Sequence, residues 1–248
     1  MGIYLIVCPL VFLAGFVDSI AGGGGLISLP AYMFAGIPVH NAIATNKLSS
    51  STGTVVSTAR LIKNKNVDWG FVPGTVIGAL IGSVAGANLA LIISDHILKM
   101  VLVVILPIVA FCVLKDKNMD VEVPVGMTKN KQYLIAIVCS LVIGCYDGFY
   151  GPGTGTFLLL VFTKLAKIPL EKATGNVKIV NLSSNISALI TFILAGKILW
   201  GLGLAASCFS IAGHYVGAGM VVNNGVKVIK PIILIVLVLL LVKVVSGI

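Results

Sequence analysis

The 248-residue chain is 58% apolar and 10% charged, with a mean hydropathy of +1.11 and a formal net charge of +9. A soluble domain carries roughly a quarter charged residues, so this composition excludes a separate soluble domain. The positive charge is spread over short loops between apolar runs, which fits membrane orientation and not nucleic-acid binding.

In chain order the first half divides into apolar segments at about 3–20, 25–37, 42–62, 70–93 and 97–114. A polar linker occupies 115–131, and the second half has segments at about 132–149, 155–168, 174–195, 199–222 and 229–247. The predicted fold is an all-α polytopic membrane protein of two homologous repeats, 1–114 and 132–248, joined by a cytoplasmic linker. Each repeat has a Gly-broken or re-entrant helix pair followed by three spanning helices. The second segment of each half is shorter than the ~20 residues a full crossing needs. No positively charged run precedes the first segment, so it reads as a span and not as a cleaved signal.

The repeat is visible residue by residue. Asp18 and then Gly22-Gly23-Gly24-Gly25 return as Asp147 and then Gly151-Pro152-Gly153-Thr154-Gly155. Thr45-Asn46-Lys47 returns as Thr174, Asn176 and Lys178, while Trp69, Gly82, Gly86 and Lys99 return as Trp200, Gly213, Gly217 and Lys230. Paired helix breaks at matching positions of two halves are the strongest sequence pointer to a solute site at mid-membrane.

Lysine and arginine choose the orientation. Arg60, Lys63 and Lys65 crowd one loop, Lys115, Lys117, Lys129 and Lys131 the linker, Lys164, Lys167 and Lys172 another loop, and Lys227 and Lys230 a fourth. The loop at 37–41 has none, and Lys99 and Lys197 stand singly in the other two. If the first two segments of each half form a hairpin, all the rich loops face the cytoplasm and the halves are inverted repeats.

The glycines at 22–25, and Gly151, Gly153 and Gly155 with Thr154, let the backbone turn and approach a ligand. Helices starting there aim N–H groups and positive dipole ends at an anion. The competing explanation is close helix packing. Asp18 and Asp147 are the only carboxylates in apolar segments, and two roles stand open for them: relaying a proton, or capping the short helix that follows. Lys47 and Lys178 read as vestibule charges or as lysines snorkelling from a helix end, with an aspartate or an anion as other partners. The third segments are rich in hydroxyls and amides, including Thr45, Asn46, Ser50, Thr174, Asn176 and Ser184. They are expected to line a bundle interior or an aqueous path, or to bond helix to helix. Trp69 and Trp200 read as interfacial anchors. The five cysteines and three histidines make no metal or disulfide pattern, so neither a metal nor a cofactor is expected.

Taken together, the run from Gly15 through Asp18, Gly22–Gly25 and Pro30, the following Ala44-Thr45-Asn46, and the second copy at Gly144, Asp147 and Gly151-Pro152-Gly153 resemble the TauE/SafE sulfite-exporter family, also called toluene-sulfonate uptake permeases. The resemblance covers nearly the whole chain. It implies a multi-pass plasma-membrane transporter, not an enzyme, that moves a small anion such as sulfite or an organosulfonate. Protons are the candidate coupling ion, the bilayer is the surrounding partner, and a second copy of the chain is a candidate partner. A passive anion channel is the alternative. An intramembrane aspartyl enzyme is a remote one, because Tyr146-Asp147 lacks the second motif of that class.

Overall fold

The computed structural model describes residues 2–98, 100 and 127–224. Nearly all of the segments expected at 97–114 and 229–247 lie outside these residues, as do most of the linker and the Lys99/Lys230 pair.

The described residues form eight α-helices and no strand. In the first half these are α1 (Gly2–Ala21), α2 (Gly25–Phe34), α3 (Val39–Lys63) and α4 (Val72–Ile92). The second half has α5 (Lys129–Phe149), α6 (Thr154–Leu160, continued by a π-helical turn Val161–Leu165), α7 (Leu170–Leu194) and α8 (Trp200–Asn224). The helices follow the apolar segments closely, except that α3 and α7 start one turn earlier than the hydropathy suggests. Pro38 and Pro169 are their N-caps, each with a fixed negative φ and extended ψ, so the chain enters the helix directly after proline. Four helices, α1, α4, α5 and α7, are long and apolar enough to cross a membrane, while α2 and α6 are short. With its exposed apolar surface, including Leu5, Ile77, Ile92, Leu134 and Leu194, this is a multi-pass membrane protein. Trp69 and Trp200 are exposed at the entries to α4 and α8, where interfacial anchors sit.

Helix directions follow from which residues touch. Along α4 and α5, Gly74, Gly78, Gly82 and Gly86 lie against Ile137, Leu141, Cys145 and Phe149 in rising order, so the two run parallel. Gly213 and Gly217 of α8 lie in the same way against Phe12 and Phe16 of α1. By contrast α3 and α7 run antiparallel, with Lys47 bonded to Asn185 and Thr58 to the carbonyl of Lys178. The loops confirm the arrangement at each end. Lys172 donates to the carbonyl of Lys65 at 2.6 Å, joining the first turn of α7 to the loop that follows α3. Asn41 donates to the carbonyl of Lys197 at 2.8 Å, joining the first turn of α3 to the loop that precedes α8.

The close α4–α5 and α1–α8 contacts depend on absent side chains. A Cβ on Gly82 would strike the carbonyl of Leu141, and one on Gly213 that of Phe12. Gly82→Val should therefore force α4 and α5 apart and destabilise the fold by about 1–3 kcal/mol. Thermal melting in detergent measures this, and an unshifted transition would refute the packing role.

Candidate functional site

The two chain breaks meet. Gly22 ends α1 with φ +75°, and its counterpart Gly151 follows α5 with φ +99°. A side chain is strained at either, which accounts for glycine there. Gly22 lies so close to Gly155 that a Cβ on it would fall 2.5 Å from the Gly155 backbone, and one on Gly25 would fall 2.9 Å from Pro152. The expected cradle between the breaks is thus closed in this conformation, with backbone against backbone.

Around this contact lie two ion pairs, and each crosses from one half to the other. Asp18 of α1 accepts from Lys178 Nζ of α7 at 2.9 Å, and Asp147 of α5 faces Lys47 Nζ of α3 at 3.0 Å. Lys47 and Lys178 are 2% and 5% exposed, so neither snorkels and neither is a vestibule charge. The sequence rule for lysines near a helix end fails here because each ammonium has a carboxylate partner at the same depth on the other half. Lys47 also donates to Asn185 Oδ1 at 2.9 Å, and Asn185 in turn bonds Asn181.

The two aspartates are then completed differently. Asp18 Oδ1 accepts the Gly24 N–H at the start of α2 at 3.2 Å, a contact of the capping kind, one of the two roles open for it. Asp147 takes hydroxyls instead, Thr154 Oγ1 at 2.8 Å and Ser184 Oγ at 2.6 Å. In place of such a hydroxyl, Asp18 faces Nε2 of His214 at 3.2 Å. His214 is 2% exposed, and its Nδ1 lies 2.9 Å from the carbonyl oxygen of Ser210. Sequence reasoning missed this residue because it lies on α8, some two hundred positions from Asp18. The available signal was the repeat itself, in which Ser83 of α4 holds the equivalent place after the first glycine of the packing pair.

Beside the first break is a small cavity with about 10 Å³ for a water-sized solute. Asp18, Ser28, Asn46, Ser49, Ser50, Ser210 and His214 line it, and Val11, Ala14, Gly15 and Gly24 complete the wall. Asn46 is 7% exposed, and its Oδ1 has no hydrogen-bond partner. A buried amide left unsatisfied beside a cavity calls for a ligand or water there.

Other expected site residues are elsewhere. Thr45 accepts the N–H of Leu199 at 3.1 Å, and Asn176 holds both the N–H and the carbonyl of Asp68 at 2.9 and 3.2 Å. Thr174 bonds back to Glu171. Thr45 and Asn176 tie loops at the ends of the bundle, Thr174 bonds within its own helix, and none of the three borders the cavity. Among the third-segment hydroxyls, Ser51, Ser57, Ser183 and Thr191 donate to carbonyls one turn back in their own helix.

A family model described as "Sulfite exporter TauE/SafE" matches residues 7–244. The chain belongs to that family. It is similar to the probable membrane transporter protein YfcA of Escherichia coli (strain K12), 36% identical over 90% of this chain and 82% of the relative. The probable membrane transporter protein ORF9 of Sinorhizobium sp is 35% identical over 95% of this chain and 90% of its own. The more distant MJ0441 of Methanocaldococcus jannaschii, also called a probable membrane transporter protein, is 26% identical over 77% and 74%. No solved structure matches the chain.

The crossed pairs make a direct stability test. Lys47→Met strands a buried carboxylate and should cost about 3–5 kcal/mol, whereas Lys47→Met with Asp147→Leu should recover most of that loss. Melting of the purified variants measures the difference, and equal damage from the single and the double change would show that the pair is not coupled.

Proposed function

We propose that this chain is a secondary transporter that exports a small oxyanion, sulfite or an organosulfonate, across the plasma membrane by alternating access. The observation that carries the reading is the cavity bordering the N-terminus of α2 beside the first break, with the unsatisfied Asn46 amide. Such a helix start presents N–H groups and a positive dipole end. Ser28, Ser49 and Ser50 add hydroxyls, and Lys178 supplies positive charge beside Asp18. In this state the breaks are closed on each other, and the ion pairs hold the halves together. Transport requires one group of helices to rock against the other so that the cavity opens to each side in turn.

The reading assigns substrate contact to Gly24, Asn46 and Ser50. Gly22, Gly23, Gly25, Gly151, Gly153 and Gly155 form the moving backbone of the breaks. Thr154 and Ser184 hold Asp147 in place. Removing a hydrogen bond to a bound anion costs roughly 1.5–3 kcal/mol. Asn46→Leu and Ser50→Ala should accordingly each weaken half-saturation by sulfite about 10–100-fold in proteoliposomes while the protein stays folded. Unchanged flux in both variants would remove the cavity as the site. Saturation and counterflow separate a transporter from a channel, since a channel gives no accelerated exchange.

We also read the two halves as inverted repeats, with the lysine-rich loops cytoplasmic. Support comes from the antiparallel α3 and α7 and from the contact of Lys172, in the first turn of α7, with Lys65 in the loop after α3, which brings two basic ends together. Cysteines placed at Lys63 and Lys164 should label from the same, cytoplasmic, side. Labelling from opposite sides would exclude the inverted arrangement.

A further inference from the structure

The transport reading leaves open where a coupling proton would sit, and the repeat offers two aspartates for it. Their surroundings differ in one respect that donor counting resolves. Every polar neighbour of the Asp147 carboxylate is a donor suited to an ionised oxygen: the Lys47 ammonium and the Thr154 and Ser184 hydroxyls. Asp18 receives the Lys178 ammonium and the Gly24 N–H, but its third neighbour is an imidazole whose other nitrogen is already committed. The Ser210 carbonyl, 2.9 Å from Nδ1, can only accept and lies nearer than the Ser210 hydroxyl at 3.4 Å, so the better hydrogen-bonded tautomer carries its hydrogen on Nδ1. A neutral ring would then turn the bare lone pair of Nε2 onto a carboxylate oxygen at 3.2 Å, and the contact holds only with a further proton between them.

We propose that His214 and Asp18 form the exchangeable proton site of this transporter, with His214 held as an imidazolium and its Nε2 proton released into the adjoining cavity when the pair opens. The proposal rests on the transport reading for its role and on the ring's two contacts for its chemistry. When the proton leaves, Nδ1–H stays on Ser210, Nε2 and the carboxylate repel, and α1 and α8 lose the contact that joins them at cavity depth. Asp18 and His214 both border the cavity, which gives the proton a way out, whereas Asp147 is 2% exposed.

The fold makes deliberate room for the ring. A Cβ on Gly15 would fall 2.7 Å from His214 Nδ1, and one on Gly53 would strike the same atom. At the equivalent places in the other half Ser83 replaces the histidine and Ser184 replaces Gly53, and Ser83 Oγ simply donates to the Ser184 carbonyl at 2.6 Å. The charged groups around the pair are Lys178 on α7, Lys47 on α3, and Arg60 on α3, whose guanidinium bonds the carbonyl of Tyr215 next to His214. The described part of α2 brings no charged side chain.

Two measurements test it. In protein labelled with ¹⁵N-histidine, the ring resonance lost in His214→Gln belongs to His214. It should show two N–H groups at neutral pH in the wild type and one, on Nδ1, in Asp18→Asn. A singly protonated ring in the wild type overturns the proposal, whatever the substrate is. In proteoliposomes with sulfite as the probe, the ratio of flux with a pH gradient to flux without it should exceed unity in the wild type and fall to unity in His214→Gln. A wild-type ratio of unity, or a gradient response that survives in His214→Gln, overturns the coupling role. Absence of any wild-type sulfite flux would strike the proposed substrate, and the labelled-histidine result then decides the proton site alone.

Discussion

Four charges inside a membrane protein, Lys47, Asp147 and Lys178 buried and Asp18 half-buried, would each be costly to desolvate if left alone. Here Asp18 finds Lys178 and Asp147 finds Lys47, and in both pairs the carboxylate and the ammonium come from different halves. Neither half neutralises its own charges. Each aspartate also sits in the last turn of its helix, where the dipole end is negative and disfavours an anion. The opposing lysine and the donors beyond the break are what make the position tenable. The mutual neutralisation fixes the halves against each other, sets α3 and α7 antiparallel at the level of the breaks, and leaves the short helices facing one centre.

Glycine does the rest of the positioning. The backbone contact of Gly22 with Gly155, and the glycine ladders of α4 on α5 and α1 on α8, let main chains approach more closely than any side chain permits. Packing and function are not rival explanations for these residues. The ladders are packing surfaces, and the breaks are both packing contacts and the places where the backbone can turn at membrane depth.

The duplication is also unequal in a way that concentrates chemistry on one side. The second break has a proline and threonines, and its aspartate is enclosed by hydroxyls and a lysine. The first has four consecutive glycines, a cavity, an unsatisfied amide and a histidine donated by the other half. A repeat supplies two similar frames. Substitution at a few positions, Ser83 against His214 and Ser184 against Gly53, then gives one frame a titratable group and leaves the other structural.

Hydropathy, the two Asp-plus-glycine breaks and the lysine-bearing loops were enough to read an all-helical membrane protein, its internal repeat and helix spans accurate to about a turn, because those depend on local composition and on where water ends. The short second helices were legible for the same reason, and a local contact of Asp18 with the start of α2 was one of the two roles open to it, since it involves neighbours a few residues apart. The partners of the lysines, the loop-tying roles of Thr45 and Asn176, and the place of His214 were not, because each is a contact between residues a hundred or more positions apart. Sequence determined which groups are costly to bury. Only the tertiary structure decided which opposite charge or donor meets each one, since that depends on how two helices from different halves are set side by side.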